Sequence, residues 1–479
     1  MTSDVPVQAP VVSPHDTVLP PAVERGVALI VAASPGLISG PCADLRRLAL
    51  EVAVTGLVSA DPEAATRRAV SYDSTTDTVQ VQGTHYPLSP KSNVWVVGAG
   101  KASYLVAAAL EAILGSRLSG GVVAVRDPDV PALQHVQVLS SDHPLPSSRS
   151  VEAATKILET MQAAGSADLV LACFTGGSSS LASLPPPGVT AGEKRVLHEQ
   201  LLSSGLPITD INAVRKAVSS VKGGRVALAA APATVVNLTV SDVAGSQLDV
   251  VTDPTVQDGV TAARAREVLR TSELWDNVPA SIRAHLESDP PTPVLMVEPQ
   301  TVMLADGAST VAAMADFAAS AGFCTVVVDE EVEGTADDVG PLIADRLLRE
   351  LADGGNQPVM LLGCGGESVV TVTYQEAFSQ GGPNQHAALR AATALRGHRA
   401  AALFIDTDGS DGGTELAGGL VDGATLDLAR ARGVDITAGL VEQRSTDACL
   451  AVDAAVRTGH TGTNVNDLFV LVAEPGGLS

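Results

Sequence analysis

The sequence predicts an α/β fold of two three-layer domains with mostly parallel sheets, of which the N-terminal domain is Rossmann-like. Short apolar runs alternate with longer alanine-rich helical patterns, as at residues 94–97, 102–114 and 122–125. This alternation is typical of parallel βαβ units. The chain has 479 residues, of which 45% are hydrophobic, so it can bury more than one core. Ligands of such sheets bind at the carboxyl ends of the strands.

Breaks in this pattern predict the domain boundaries. Residues 1–25 are rich in proline and lack periodicity, which predicts a disordered leader. A second proline-rich break lies at residues 287–293, so we expect an N-terminal domain at 26–285 and a C-terminal domain at 286–479. The remaining predicted strands are 169–174, 234–240, 294–297, 325–328, 359–362, 400–405 and 468–472.

Composition limits the partners of the chain. A formal net charge of -24 repels nucleic acid and anionic membranes, and an aromatic content of 3% leaves little surface for base stacking. The sequence has no apolar window long enough to cross a bilayer and no signal-peptide pattern, so we expect a cytoplasmic protein. The five cysteines are far apart and mostly within apolar runs, which predicts buried, reduced thiols rather than disulfides or metal ligands.

The most informative motif is Gly98-Ala99-Gly100-Lys101, between a predicted strand and a predicted helix. Lys101 is one of only six lysines in the chain. A glycine turn at a helix N-terminus aims N–H groups and a positive dipole end at a ligand, so this turn predicts a phosphate or carboxylate site. The spacing does not fit a P-loop, and Ser103 replaces the third glycine of a dinucleotide fingerprint. A nicotinamide site and a purely structural turn are the alternatives.

A second glycine-rich segment, residues 175–180, directly follows the predicted strand 169–174. Gly176 and Gly177 allow close approach of the backbone to a ligand, and Ser178 and Ser179 add hydroxyl groups. Linkers of glycine and serine have a similar composition, but they seldom follow a buried strand. We therefore predict a phosphate-binding loop.

A third segment, residues 212–225, is strongly basic. The spacing of the apolar residues predicts a helix with Arg215 and Lys222 on its opposite side, and residues 211–241 contain no acidic residue. A solvated helix face, which is the alternative, would normally carry both signs of charge. The pattern predicts a cationic wall that faces a polyanionic small molecule.

Acidic residues follow three of the predicted strands. They are Asp242, Glu367 and Asp408. Carboxylates at strand ends can hold Mg²⁺ that bridges phosphate oxygens, or can accept a hydroxyl proton. Each of them can equally be a helix cap.

Together these segments resemble the glycerate 2-kinase family, whose members join an N-terminal α/β domain to a C-terminal MOFRL domain. The resemblance implies phosphoryl transfer from ATP, with Mg²⁺, to the 2-hydroxyl of D-glycerate in a cleft between the two domains. It places the MOFRL region at about 355–474. The similar stretches are residues 98–102, 143–146, 175–180, 212–224, 241–261, 365–367, 381–385, 407–414 and 461–467.

The predicted site combines the basic, acidic and glycine-rich segments. We expect Lys101, Asp242 and Arg215 to be catalytic, and Asp242, Glu367 and Asp408 to bind the metal. The expected partners are a nucleotide and a small hydroxy acid, with no nucleic acid and no membrane, and a homodimer is an open alternative. The residues predicted to bind the nucleotide are Gly98, Gly100, Gly176, Gly177, Ser178, Ser179, Lys222, Gly223 and Asn384.

The chain departs from the family pattern within these motifs. Pro383 stands where the family has an arginine that looks like a charge-stabilising group, Ala217 where it has histidine, and Ser246 where it has aspartate. Proline carries no charge and no N–H donor. A ligand-binding homologue with altered catalysis, and an NAD(P)-dependent hydroxypyruvate reductase, are therefore the alternative functions.

Overall fold

The computed structural model describes residues 19–126, 129–143, 145–241, 254–257, 259–292, 294–328, 332, 334–355, 357–365 and 381–478. The chain forms two compact units. Of the described residues, the first unit contains those up to Ala60 and those within 307–461 and 465–478, and the second unit contains those within 61–306 and 462–464.

The helices and strands of the two units are as follows. The helices are α1 (Pro21–Ala33), α2 (Ala43–Ser59), α3 (Pro62–Ala69), α4 (Ser103–Leu114), α5 (Ser148–Ala163), α6 (Ser178–Leu181), α7 (Ala191–Leu202), α8 (Ile208–Ala217), α9 (Arg225–Ala230), α10 (Ala262–Thr271), α11 (Ala280–Glu287), α12 (Gly307–Ser320), α13 (Ala336–Asp353), α14 (Pro383–Leu395), α15 (Thr425–Ala431), α16 (Ile436–Val441) and α17 (Ser445–Ala451). The strands are β1 (Val70–Asp73), β2 (Thr78–Val81), β3 (Thr84–Pro87), β4 (Val94–Ala99), β5 (Gly120–Val125), β6 (Val136–Ser140), β7 (Leu169–Phe174), β8 (Thr234–Val240), β9 (Gln300–Ala305), β10 (Cys324–Val327), β11 (Val359–Gly365), β12 (His398–Asp406), β13 (Gly418–Asp422), β14 (Ala455–Val456) and β15 (Asp467–Gly477).

The second unit is built on a parallel sheet of six strands in the order β6-β5-β4-β7-β8-β9. Successive side chains of β4 point to opposite faces, so Val96 packs with Leu110 of α4, whereas Val97 packs with Ile157 of α5. The predicted α/β class, three-layer arrangement and parallel sheet are confirmed for this unit. Strands β4, β5, β7 and β8 overlap the predicted runs.

Two smaller elements complete the second unit. Strands β1, β2 and β3 form an antiparallel meander that the sequence pattern did not predict. Helices α7, α8, α10 and α11 share a separate apolar cluster that includes Leu201, Val214 and Leu269. This helical layer carries only the first part of the basic segment predicted at residues 212–225. Helix α8 ends at Ala217 and α9 begins at Arg225, so Lys222 lies in the turn between them and the prediction that it shares a helix face with Arg215 is wrong.

The first unit has a mixed sheet, in the order β10-β11-β15-β12-β13-β14. Only β10 and β11 pair in parallel, and the other four pairings are antiparallel. The prediction of a mostly parallel second sheet is therefore wrong. The three-layer arrangement does hold, because Leu361 and Ala402 face one apolar cluster while Met360 and Leu403 face the other.

The N-terminal boundary also differs from the prediction. Residues 1–18 lie outside the described residues, and helix α1 already begins at Pro21, within the predicted leader. Helices α1 and α2 pack in the first unit, which mainly contains residues after 306, and not with the predicted domain at 26–285. The change from the second unit back to the first lies at residue 307, about twenty residues beyond the predicted break.

A buried ion pair joins α2 to the rest of the first unit. The guanidinium of Arg46 contacts the Asp422 carboxylate at 3.1 Å and donates to the carbonyl of Leu420 at 2.8 Å. Both charged side chains are almost fully buried. A residue near the start of the chain therefore neutralises a carboxylate near its end.

The strand predicted at 294–297 is wrong. Three of its four side chains are exposed, with Met296 94% exposed, and strand β9 forms at Gln300–Ala305 instead. Three prolines precede the apolar run and Pro299 follows it, so it is isolated from any sheet. Among the described residues, no helix combines the length and apolar character needed to span a membrane.

The cysteine prediction holds for three of the five thiols. Cys42, Cys173 and Cys449 are free and buried, whereas Cys364 is half-buried and Cys324 is exposed. Burial raises the pKa of the Cys173 thiol to about 12, so this thiol stays protonated and unreactive at neutral pH.

Candidate active site

The β4–α4 turn, residues 100–102, carries the predicted anion site. The N–H of Lys101 donates to the carbonyl of Gly176 at 2.9 Å, and the N–H of Ala102 donates to Thr175 Oγ1 at 3.1 Å. Gly100 has a φ of 144°, and a Cβ there would lie 2.0 Å from the same hydroxyl oxygen. These two backbone donors are thus used within the protein, and the ligand-binding group predicted for this turn is the Lys101 side chain.

The β7–α6 turn, residues 175–177, lies beside Lys101. Gly177 has a φ of 85°, and a Cβ there would lie 3.6 Å from Lys101 Cγ and 3.2 Å from the His143 ring. Among the described residues, the N–H groups of Gly176 and Gly177 make no hydrogen bond to another residue. Two adjacent backbone donors therefore lie beside the Lys101 side chain, in a space that glycine leaves open.

Two other predicted ligand-binding residues have structural contacts. A Cβ at Gly98 would lie 2.2 Å from the carbonyl oxygen of Cys173, so glycine lets β4 and β7 pack closely. Ser178 begins α6, and its N–H donates to the carbonyl of Thr175 at 3.1 Å. These contacts hold the two turns in place.

A small cavity with basic walls lies between α7, α8 and the start of α6. We call it the cationic cavity, and its volume is about 20 Å³. None of the lining side chains in the described part of the chain is acidic. Apart from apolar side chains and Pro146, the lining residues are Ser179, Ser183, Lys194, His198, Arg215 and Lys222.

The positive charges of the cavity act on one another. Burial, followed by repulsion from Arg215 and Arg225, lowers the pKa of Lys194 to about 7. Burial lowers the pKa of Arg215 to about 10. Burial, followed by repulsion from Arg215, Lys222 and Lys194, lowers the pKa of His198 to about 4. The imidazole is therefore neutral at physiological pH, while the cavity as a whole favours an anion.

Lys222 connects this cavity to the β7–α6 turn. Its ammonium group donates to Ser179 Oγ, and its backbone N–H donates to Ser219 Oγ at 3.3 Å. Gly223 and Gly224 follow with φ values of 64° and 79°, conformations that glycine adopts without strain. The basic turn is thus fixed against the glycine-rich turn that adjoins Lys101.

In the first unit, Asp411 organises the N-terminus of helix α14. Its two carboxylate oxygens accept the backbone N–H groups of Asn384 and Gln385 at 3.0 and 2.9 Å, and they also accept both side-chain amides. Burial, only partly offset by these hydrogen bonds, raises the pKa of Asp411 to about 6. The second amide contact of Asn384 is with Asp467, at 2.8 Å.

Comparisons with known proteins decide the family. Two family models match, a domain of unknown function (DUF4147) over residues 48–287 and the MOFRL family over residues 359–467. A glycerate 2-kinase of Pyrococcus horikoshii is 33% identical and covers 90% of this chain and 97% of its own. The chain belongs to the glycerate 2-kinase family. The predicted resemblance is confirmed.

Two further relatives are informative. The solved glycerate kinase of Thermotoga maritima is 30% identical, with a TM-score of 0.77 over 90% of this chain and 99% of its own. A protein assigned as a hydroxypyruvate reductase in Agrobacterium vitis is 36% identical over 81% of this chain and 88% of its own. Similar proteins thus carry names from two different reaction classes.

Two of the residues that depart from the glycerate 2-kinase pattern lie at the ends of helices. Pro383 is the first residue of α14, where its fixed φ is compatible with a helix start. Arg390, on the same helix, lies 3.2 Å from a carboxylate oxygen of Asp337, so its charge is engaged. Ala217 ends α8, and its carbonyl lies 3.1 Å from Nε2 of His285.

The predicted site residues divide into three groups. The structure brings Lys101, Arg215 and Lys222 into one region of the second unit, with the glycine-rich and serine residues of the two turns. Asn384 and Asp408 lie in the first unit. Asp242, Glu367 and Ser246 lie outside the described residues.

The sequence analysis missed Lys194 and His198. Both lie on α7, one helical turn apart, and they line the cationic cavity with Arg215. The sequence did offer one signal for Lys194. Lysine is rare in this chain, and that rarity singles out Lys194 just as it singles out Lys101. The capping box of Thr190 and Glu193 would have placed Lys194 in the first turn of a helix.

Proposed function

We propose that this chain transfers the terminal phosphoryl group of ATP to a hydroxyl of a small hydroxy acid, with D-glycerate as the first candidate acceptor. The observation that carries the proposal is the arrangement of Lys101 beside the N–H groups of Gly176 and Gly177. Membership of the glycerate 2-kinase family supports it independently.

In this proposal the second unit supplies the groups that bind phosphate. Lys101 and Lys222 neutralise negative charge, and Gly176 and Gly177 donate backbone hydrogen bonds to phosphate oxygens. Phosphoryl transfer depends mainly on positioning and on electrostatic stabilisation, and donors that are fixed before the reaction supply both. Glycine at position 177 fits this role, because a side chain there would fill the space beside Lys101.

The proposal includes Mg²⁺ because ATP would bind together with this ion. Among the described residues, no group of three His, Cys, Asp or Glu side chains could hold a metal ion. Asp408, the one described member of the predicted metal set, accepts the N–H of Ser410 at 2.9 Å. Mg²⁺ would neutralise phosphate charge when bound. Asp242 and Glu367 stay predicted ligands.

A cytoplasmic location and a homodimer are further parts of the proposal. The free thiols are consistent with a reducing compartment. Light scattering of the purified chain tests the homodimer, which predicts twice the chain mass of 48.6 kDa.

Product analysis of the wild-type chain tests the proposed reaction. We expect Mg-ATP and D-glycerate to give ADP and 2-phosphoglycerate, detected by phosphorus NMR, with no ADP formed when the acceptor is omitted. The control is hydroxypyruvate with NADH or NADPH, for which we expect no oxidation of the nicotinamide. Oxidation of the nicotinamide without phosphoryl transfer would establish the reductase instead. Nucleotide binding without turnover would favour a ligand-binding homologue.

A further inference from the structure

We propose that the cationic cavity is the subsite that binds the carboxylate of the acceptor acid, with Lys194 and Arg215 as its ligands. This inference rests on the proposed function, which it extends by naming the residues that select an acidic acceptor. It concerns a different part of the second unit from the Lys101 turn.

The first support is the lack of a counter-ion. Among the described residues, Lys194 donates to the carbonyl of Leu184 at 3.2 Å and Arg215 donates to the amide oxygen of Asn212 at 3.2 Å, and neither pairs with a carboxylate. Lys194 and Arg215 are both half-buried, and basic side chains that lose part of their contact with water are costly unless they are paired. Two such groups facing one cavity indicate that the partner is a bound anion.

The size of the cavity selects the anion. Its volume of about 20 Å³ exceeds the roughly 10–15 Å³ that one water molecule requires. This is the scale of a carboxylate group, and it is too small for a triphosphate. The apolar side chains of Leu197, Leu201 and Val218 form the rest of the wall, and they strengthen electrostatic attraction by excluding water. The planar guanidinium of Arg215 suits a carboxylate in particular.

The position of the cavity fits an acceptor whose hydroxyl must meet the transferred phosphoryl group. Ser179 lines the cavity and accepts the ammonium hydrogen of Lys222. It is two residues from Gly177, whose Cβ position lies 3.6 Å from Lys101 Cγ. An acid anchored in the cavity would therefore direct its short carbon chain along the same turn that binds phosphate.

The charge state of Lys194 gives the proposal a signature. Its pKa of about 7 is set by burial and by Arg215 and Arg225, while Lys222 and the neutral His198 also line the cavity. A bound carboxylate favours the ammonium form and raises this pKa. Binding at pH 8 should therefore take up protons, which calorimetry detects by comparing buffers of different ionisation enthalpy.

Calorimetric titration of the full chain with D-glycerate tests the subsite directly. We expect Lys194→Met and Arg215→Met each to weaken binding roughly 10- to 100-fold, because each removes a charged hydrogen-bond donor. Lys194→Arg should retain most of the affinity. Glyceramide, which lacks the charge, should bind the wild type at least roughly tenfold more weakly. The control Arg195→Met changes a neighbouring residue of α7 whose side chain is 51% exposed and pairs with Glu199.

Several outcomes would overturn the proposal. One is that Lys194→Met binds D-glycerate as tightly as the wild type does, and another is that the wild type binds glyceramide as tightly as D-glycerate. The proposal also fails if the wild type does not bind D-glycerate, or if the substitutions weaken the binding of ATP and not that of the acid. Circular dichroism checks that each variant is folded. If D-glycerate binds with the expected pattern and no phosphoryl transfer follows, the subsite stands and the proposed function fails.

Discussion

Lys194 illustrates that a binding site for an anion lowers the stability of the folded protein while no ligand is bound. Burial and two neighbouring guanidinium groups lower its pKa to about 7, so the folded protein disfavours its charged form. In the unfolded chain its pKa is near the ordinary lysine value of 10.5. The destabilisation is therefore complete below pH 7 and declines as the pH rises from about 7 towards 10.5.

We expect Lys194→Met to stabilise the unliganded protein, with a larger gain at pH 6 than at pH 9. Urea unfolding at the two pH values measures this, with Lys156→Met as a control because Lys156 is 47% exposed. A gain that is equal at both pH values would show that Lys194 has an ordinary pKa.

Single residues differed in how far the sequence could predict them. Lys101 stood out because it follows a strand and a glycine turn, whereas Lys194 stands between the charged residues Glu193 and Arg195 and looks like part of a solvated helix face. Its importance depends on α8 packing against α7, which brings Arg215 to the same cavity. Such a contact between helices leaves no local sequence signal.

At the scale of elements, the start of α14 depends on one acceptor. Asp411 accepts the N–H groups of Asn384 and Gln385, which have no partner within the helix, and it is fully buried. Asp411→Ala would leave these donors and two amide groups unsatisfied. We expect it to lower the free energy of unfolding by about 2–4 kcal/mol, as measured by urea unfolding.

The control for this variant is Asp435→Ala. Asp435 caps the short helix α16 at 3.0 Å in an exposed position, so its loss should cost only about 0.5–1 kcal/mol. Equal effects of the two substitutions would show that the buried network contributes nothing beyond ordinary capping.

The direction of the strands in the first unit was beyond sequence reasoning for a physical reason. Strands β11, β12 and β15 are buried on both faces, so each is a continuous apolar run. Such runs are typical of parallel sheets, but antiparallel strands that are covered by helices on both faces have the same composition. Hydrophobicity reports burial, whereas direction is set by the connections between strands.

At the scale of the whole molecule, the first unit is assembled from both ends of the chain. Arg46 on α2 pairs with Asp422, which lies 376 residues later. The sequence pattern could not predict this pairing, because it groups α2 with the helices that come next along the chain. We expect Arg46→Met to cost about 3–5 kcal/mol of unfolding free energy, since it leaves a buried carboxylate without its cation.

Arg47→Met is the matched control for that experiment. Arg47 is the next residue of α2, is 52% exposed and pairs with Glu51 within the helix. Its loss should change stability by less than about 0.5 kcal/mol. Similar losses in both variants would contradict the claim that α2 is an integral part of the first unit.

At the scale of the whole molecule, a substitution at Pro383 tests how the reaction stabilises charge, because the family has arginine at this position. If the arginine stabilises charge in the reaction, Pro383→Arg should raise kcat roughly tenfold or more. Pro383→Ala removes the ring without adding charge, and we expect it to leave kcat close to the wild-type value. Equal turnover in both variants would show that this chain stabilises the charge through other groups.

The central claim is that Lys101 and the glycine-rich turns of the second unit serve phosphoryl transfer to a hydroxy acid. The most direct measurement is the rate of D-glycerate-dependent ADP formation in the wild type, in Lys101→Ala and in the exposed control Lys156→Ala. We predict measurable turnover in the wild type and the control, and a fall in kcat of roughly 100- to 1000-fold in Lys101→Ala. Wild-type turnover in Lys101→Ala, or no acceptor-dependent ADP formation in any of the three, would contradict the claim.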